Sequence, residues 1–232
     1  MVASKYQRGV SLIEVVIVSV IIGVMAAVAT PALRNMRNDQ ALRNSARQVS
    51  DAMMLARTQA IRTGSNVIVV FQSASGSASP AGLTSTNIID VINDGPATTA
   101  DCTIGSTAEV VWSLPVDQVN NLSWGTSAGN AGNNIVPTDN GFAPTNNVQG
   151  STFSDATVTS ATIDANKFAH WIVFQPDGIP RLMTPADCAN LGIEGQGGGG
   201  IYLTNGRRDY AIILSALGTT RVHHWSGAAW IQ

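Results

Sequence analysis

Hydrophobic and polar positions fall into three regimes along the chain. Between Val15 and Leu33 the sequence runs for nineteen residues without a charge, mostly Val, Ile and Ala. As a helix that stretch is about 28 Å long, close to the thickness of bilayer hydrocarbon. From Leu42 the pattern changes: Leu42, Ala46, Val49, Met53, Ala56 and Ala60 recur at three- and four-residue spacing. That spacing lines one face of an amphipathic helix. Asp39–Arg43 and Arg47–Asp51, each four residues apart, fall on its wetter side. No turn signal divides the two stretches, so Val10 to Thr63 predicts one helix of about 80 Å. Gly64 is its expected stop, with Arg62 in the last turn. Pro31 predicts a kink or local melting near Ala27 to Pro31, or else marks the membrane boundary.

Beyond Gly64 the chain reads as short strands. Asn66–Phe71, Asn87–Ile92, Ala108–Leu114, Ile201–Thr204, Asp209–Leu214 and Thr219–Trp225 are rich in β-branched and aromatic residues. Ala169–Phe174 and Ile179–Met183 flank Pro176-Asp177-Gly178, which is hairpin turn chemistry. Ser73–Leu83 and Gly125–Thr162 are polar stretches expected to be surface loops. The expected class is α+β: a long N-terminal membrane or filament helix, then an antiparallel β-rich head. The expected divisions are a leader over 1–9, an apolar half-helix over 10–33, an amphipathic half over 34–64 and a head over 65–232.

Charge sharpens this division. Only 12% of the 232 residues are charged, about half the usual share for a soluble domain. The net charge is −2, but Val10–Arg62 carries six Arg against Glu14, Asp39 and Asp51, while Thr63 onward carries twelve acids against five bases. The stem is therefore +3 and the head −7. An acidic head is a poor electrostatic partner for nucleic acid, whose binding rests on neutralising phosphates.

The N-terminus supports three readings. Lys5 and Arg8 precede the apolar run, which places the N-terminus in the cytoplasm and the head outside it. The run could be a plain anchor. It could be a secretory signal with Ala27-Val28-Ala29 as the cleavage site, releasing a soluble secreted domain. It could also follow a leader that is cut before the apolar stretch. Glu14 favours the third, because a carboxylate at the mouth of an apolar helix is costly unless paired and has no use in a signal or passive anchor.

Gly9-Val10-Ser11-Leu12-Ile13-Glu14 resembles the type IV prepilin cleavage motif, with Val10 in place of the usual Phe. The resemblance implies that a prepilin peptidase cuts between Gly9 and Val10 and methylates Val10. It also implies that Glu14 pairs with the N-terminal amine of a neighbouring subunit. Farther on, Leu55–Arg62 and Val173–Pro180 resemble the GspH/FimT group of minor pilins and pseudopilins. Membership implies a filament subunit of a type IV pilus or type II secretion system, not an enzyme, with no cofactor. Its partners would be other pilins, the peptidase and inner-membrane lipid. Some FimT proteins bind DNA through a C-terminal Gly-Arg-x-Arg; here Gly218-Thr219-Thr220-Arg221 keeps only the Gly and the last Arg. Arg207 and Arg208, beside Asp209, make a second basic spot. With a head at −7, these leave DNA uptake as the lesser reading.

Other candidate chemistry is thin. Gly195–Gly200 matches G-x-G-x-x-G in form, but it opens a strand and not a helix, so a flexible loop is expected. His223 and His224 are adjacent in a strand and point to opposite faces, which disfavours a metal site. His170 reads as a packed or surface histidine. Asp90, Asp94 and Asp101 are expected on a solvated loop, with calcium the alternative. Cys102 and Cys188, the two cysteines, can form one disulfide if the head is exported, or remain buried thiols.

Overall fold

The structure, a computed structural model, describes residues 11–71, 89–96, 110–114, 122–127, 137, 150–154, 168–169, 171–184, 187–192, 194–195 and 197–232. The fold is α+β: one long apolar N-terminal helix followed by antiparallel sheets. Helix α1 spans Leu12–Thr63. The chain divides into two compact units, Met1–Asp39 and Gln40–Gln232.

In the first unit α1 passes through Pro31 without leaving the helical state. The local melting expected there does not occur. Proline removes one N–H from the ladder, the one that would reach the Ala27 carbonyl, and the helix continues on both sides of it.

In the second unit α1 buries Leu42, Ala46, Val49, Met53, Ala56 and Ala60, the stripe read from the sequence, together with Ser45 and Ala52. Four of these eight are alanines. The helix stops at Gly64, whose φ of 64° lies in the left-handed region. Its N–H still reaches the Ala60 carbonyl at 3.0 Å.

Fourteen strands follow among the described residues. The first sheet is built from β1 (Ser65–Phe71), β2 (Ile89–Pro96), β3 (Val110–Leu114), β7 (Trp171–Phe174) and β8 (Pro180–Arg181), in the order β3-β2-β1-β7-β8. Strand β1 is buried along its whole length, which explains its unbroken apolar run. It pairs Val69 with Val91 on one side and with Ile172 on the other. The second sheet contains β4 (Ser123–Trp124), β11 (Gly199–Thr204), β12 (Asp209–Leu214), β13 (Thr220–Trp225) and β14 (Trp230–Ile231), ordered β14-β13-β12-β11-β4. Two small ribbons complete the set: β5 (Phe153–Ser154) with β6 (Phe168–Ala169), and β9 (Met183–Thr184) with β10 (Asp187–Leu191).

The main core joins the helix stripe to Phe153, both faces of the first sheet and one face of the second. A smaller cluster of Tyr202, Ala211 and Ile213 lies on the other face of the second sheet, with Trp230 packed against it.

Two expectations need correction. The glycine run is packed from Gly197 to Gly200, not a flexible loop there. A Cβ on Gly197 would come within 2.0 Å of the Pro180 carbonyl oxygen, and one on Gly199 within 2.5 Å of the Phe153 ring. Asp90 and Asp94 are buried within β2, not displayed on a solvated loop. Asp101, His170 and most of the two polar stretches lie outside the described residues.

Candidate functional site

The first turn of α1 holds Glu14, the one charged side chain between Leu12 and Leu33. The positive end of the helix dipole favours a carboxylate there. Around and beyond it the apolar surface is fully presented: Leu12 is 82% exposed and Val28 71%. The most apolar 18-residue window of the helix has a mean hydropathy of 2.8 and none of it is buried. The Ser19 hydroxyl donates to the Val15 carbonyl at 2.7 Å, as Thr30 does to Ala26. Both hydroxyls of this stretch are thus satisfied inside the helix, the condition for immersion in lipid. Gly9 and Val10 lie outside the described residues.

Within the second unit, the last turns of α1 meet two hairpin turns. The Arg57 guanidinium donates to the Gly218 carbonyl at 3.1 Å in the β12–β13 turn. The β7–β8 turn closes with Gly178 N–H donating to the Gln175 carbonyl at 2.8 Å, while Asp177 Oδ1 accepts from Ile179 N–H at 2.8 Å. A Cβ on Gly178 would stand 2.6 Å from Ile61 Cδ1. About two turns before Arg57, Ser50 and Thr220 share a hydroxyl hydrogen bond of 2.9 Å. The segments singled out as Leu55–Arg62, Val173–Pro180 and Gly218–Arg221 therefore converge. Gly218, weighed as part of a DNA motif, accepts from Arg57 through its carbonyl.

The three candidate DNA-contacting arginines do not converge. The backbone N–H groups of Arg207 and Arg208 donate to Asn205 Oδ1 at 3.0 and 2.9 Å in the β11–β12 turn. Arg208 lines one recess, with Arg43 and Arg47 of the helix. Arg221 lines another, with Ile213, Ser215 and Thr219. The recess beside Arg43 and Arg47 went unseen in the sequence, where both read as the wet side of an amphipathic helix. Only strand pairing far along the chain brings Arg208 and His224 to them. Arg47 makes no ion pair with Asp51; described ion pairs link Arg181 to Asp177 and Glu194.

His223 is buried opposite Ala211, and His224 sits opposite Tyr210 with ring centroids 6.2 Å apart. No metal-competent group of three or more His, Cys, Asp or Glu occurs among the described residues. Cys188 has its backbone in β10, but Cys102 and both side chains of the expected disulfide lie outside what is described.

Residues 4–30 match the prokaryotic N-terminal methylation motif. That match, on a chain with one long apolar helix ahead of antiparallel sheets, supports a type IV pilin-like protein. Such a motif implies processing by a prepilin peptidase and assembly with other pilins. No curated protein and no solved structure matches the chain.

Proposed function

We propose that this chain is a minor pilin or pseudopilin of the GspH/FimT kind. It would be present in few copies near the tip of a type II secretion pseudopilus or a type IV pilus, helping to start the filament and so supporting secretion or pilus assembly. The observation that carries this reading is the methylation motif over 4–30 overlapping an exposed apolar stretch, Leu12 to Leu33, whose single charge is Glu14. Residues 10–33 hold the precursor in the inner membrane by one span, with the head in the periplasm. The peptidase cuts between Gly9 and Val10 and the new Val10 amine is methylated. In the filament, apolar helix faces pack laterally and Glu14 neutralises a neighbour's amine, so neither charge is buried alone.

The decisive measurement is the mature N-terminus. Mass spectrometry should find a chain beginning at methylated Val10, and Gly9→Arg should leave the precursor uncut in the membrane. A mature chain beginning at Thr30 would point to an ordinary signal peptide and overturn the reading.

A further inference from the structure

The turn between β11 and β12 holds an asparagine whose side chain is set against its own backbone. The ladder of the two strands closes at the pair Thr204–Asp209, which leaves Asn205-Gly206-Arg207-Arg208 as the connection. Asn205 N–H donates to the Arg208 carbonyl at 3.3 Å. Asn205 Oδ1 accepts from the backbone N–H groups of Arg207 and Arg208 at 3.0 and 2.9 Å. Both partners are donors, so the oxygen and not the amide nitrogen faces them. This is an Asx turn, in which the side chain folds forward over the peptide that follows it. Cγ is thereby held on the side of the Gly206 nitrogen, the atom with which it can close a succinimide ring.

Three further features bear on that closure. Gly206 is exposed, its φ is 80°, and nothing stands within 4 Å of the position a Cβ would take. Water and hydroxide therefore reach this peptide without a side chain in the way. Gly206 N–H donates to Thr204 Oγ1 at 3.0 Å. That bond engages the hydrogen and draws it away from the nitrogen, while the face of the peptide stays open. Arg207, also exposed, adds a positive charge that favours hydroxide nearby.

We propose that this turn converts itself: Asn205 is a site of spontaneous deamidation in the folded chain, with water and hydroxide the only co-reactants. The Gly206 nitrogen gives its proton to hydroxide and attacks Asn205 Cγ. As the new N–C bond forms, an electron pair moves onto Oδ1. The N–H groups of Arg207 and Arg208 already point at that oxygen, as the donors of an oxyanion hole do. The bond from Cγ to the side-chain nitrogen then breaks. That nitrogen takes a proton from water and leaves as ammonia, which restores the hydroxide. Water opens the succinimide at either carbonyl and gives an aspartyl or isoaspartyl residue, with no change of oxidation state. Each event adds one negative charge beside Arg207, to a head already at −7. Subunits would thus carry a chemical mark of their age. The proposal stands apart from the filament reading, since it concerns the head alone.

The test incubates the full chain in neutral detergent micelles, at neutral and at mildly alkaline pH, beside the same chain unfolded in guanidinium chloride. Tryptophan fluorescence checks that the first sample stays folded. Both are kept in heavy-oxygen water, and peptide mapping by mass spectrometry reads the fraction of Asn205 converted. Asn205→Asp supplies the standard for the aspartyl product. Asn205→Gln, whose longer arm closes a larger ring more slowly, supplies the blank. Folded Asn205 should convert at least as fast as in the unfolded chain, because the turn holds Cγ and Oδ1 in place for attack. The rate should rise with pH, since the attacking nitrogen must shed its proton, and each event should take up one heavy oxygen. No conversion at position 205 in the folded chain, a rate below that of the unfolded chain, or conversion without heavy oxygen would each overturn the proposal.

Discussion

At the scale of single residues, Glu14 concentrates the mechanism. Its pairing with a neighbour's amine would act on entry into the filament and not on insertion into the membrane. Glu14→Val makes the segment more apolar, so insertion should be unchanged or improved. The chain should still be cut at Gly9. It should then fail to enter filaments, because a buried amine left without a partner costs about 3–5 kcal/mol. Glu14→Asp should fall between, since its shorter side chain reaches less far. Quantifying each variant in sheared filaments against membrane fractions reads this directly. Wild-type incorporation of Glu14→Val would end the charge-pairing account. This site was legible because it is local: a short motif and one charge in an apolar run carry it. The basic recess was not, because Arg43 and Arg47 look like any solvated helix face until β11–β12 and β13 fold against them.

Among the elements, legibility follows length and local chemistry. The helix, its buried stripe and its stop at Gly64 were readable because periodicity and a terminal glycine act within a few residues of chain. Strands β1, β7, β12 and β13 announce themselves through β-branched and aromatic runs. Strands β4 and β14 do not: each is two residues long and lies along the edge of a longer partner, β11 and β13. Turn glycines permit a quantitative test of what holds the helix end. Gly64, with φ 64°, has open space around its Cβ position, so Gly64→Ala should cost only the left-handed conformation, about 1–2 kcal/mol. Gly178, with φ 75°, adds an overlap with Ile61 at 2.6 Å. Gly178→Ala should therefore destabilise more than Gly64→Ala, and Ile61→Ala should recover part of the difference. Denaturant unfolding of the head signal, by its tryptophan fluorescence, gives the comparison; equal losses at the two glycines would mean the β7–β8 turn does not bear on the helix.

Taken whole, the molecule is a basic stem joined to an acidic, sparsely charged head. Its described core joins the helix stripe to both large sheets, and a covalent link would add to that. A Cys102–Cys188 bridge would close an 87-residue loop, and constraining a loop of that length stabilises by about 4–5 kcal/mol in the chain-entropy account. Thiol labelling of the denatured, unreduced chain should find no free cysteine, and reduction should lower the unfolding midpoint. Two labelled thiols would show that the bridge does not form. The packed run Gly197–Gly200 has a consequence at the level of the gene. Every missense change of one base in a glycine codon adds a Cβ. Here that atom would fall 2.0 Å from the Pro180 oxygen, 3.2 Å from the Ala216 nitrogen, 2.5 Å from the Phe153 ring or 2.8 Å from Ile213 Cδ1. Ile213 can yield by turning its methyl; the Pro180 backbone and the Phe153 ring cannot do so cheaply. A stretch that reads as low-complexity filler is thus a mutational cold spot, with codons 197 and 199 the least forgiving of the four.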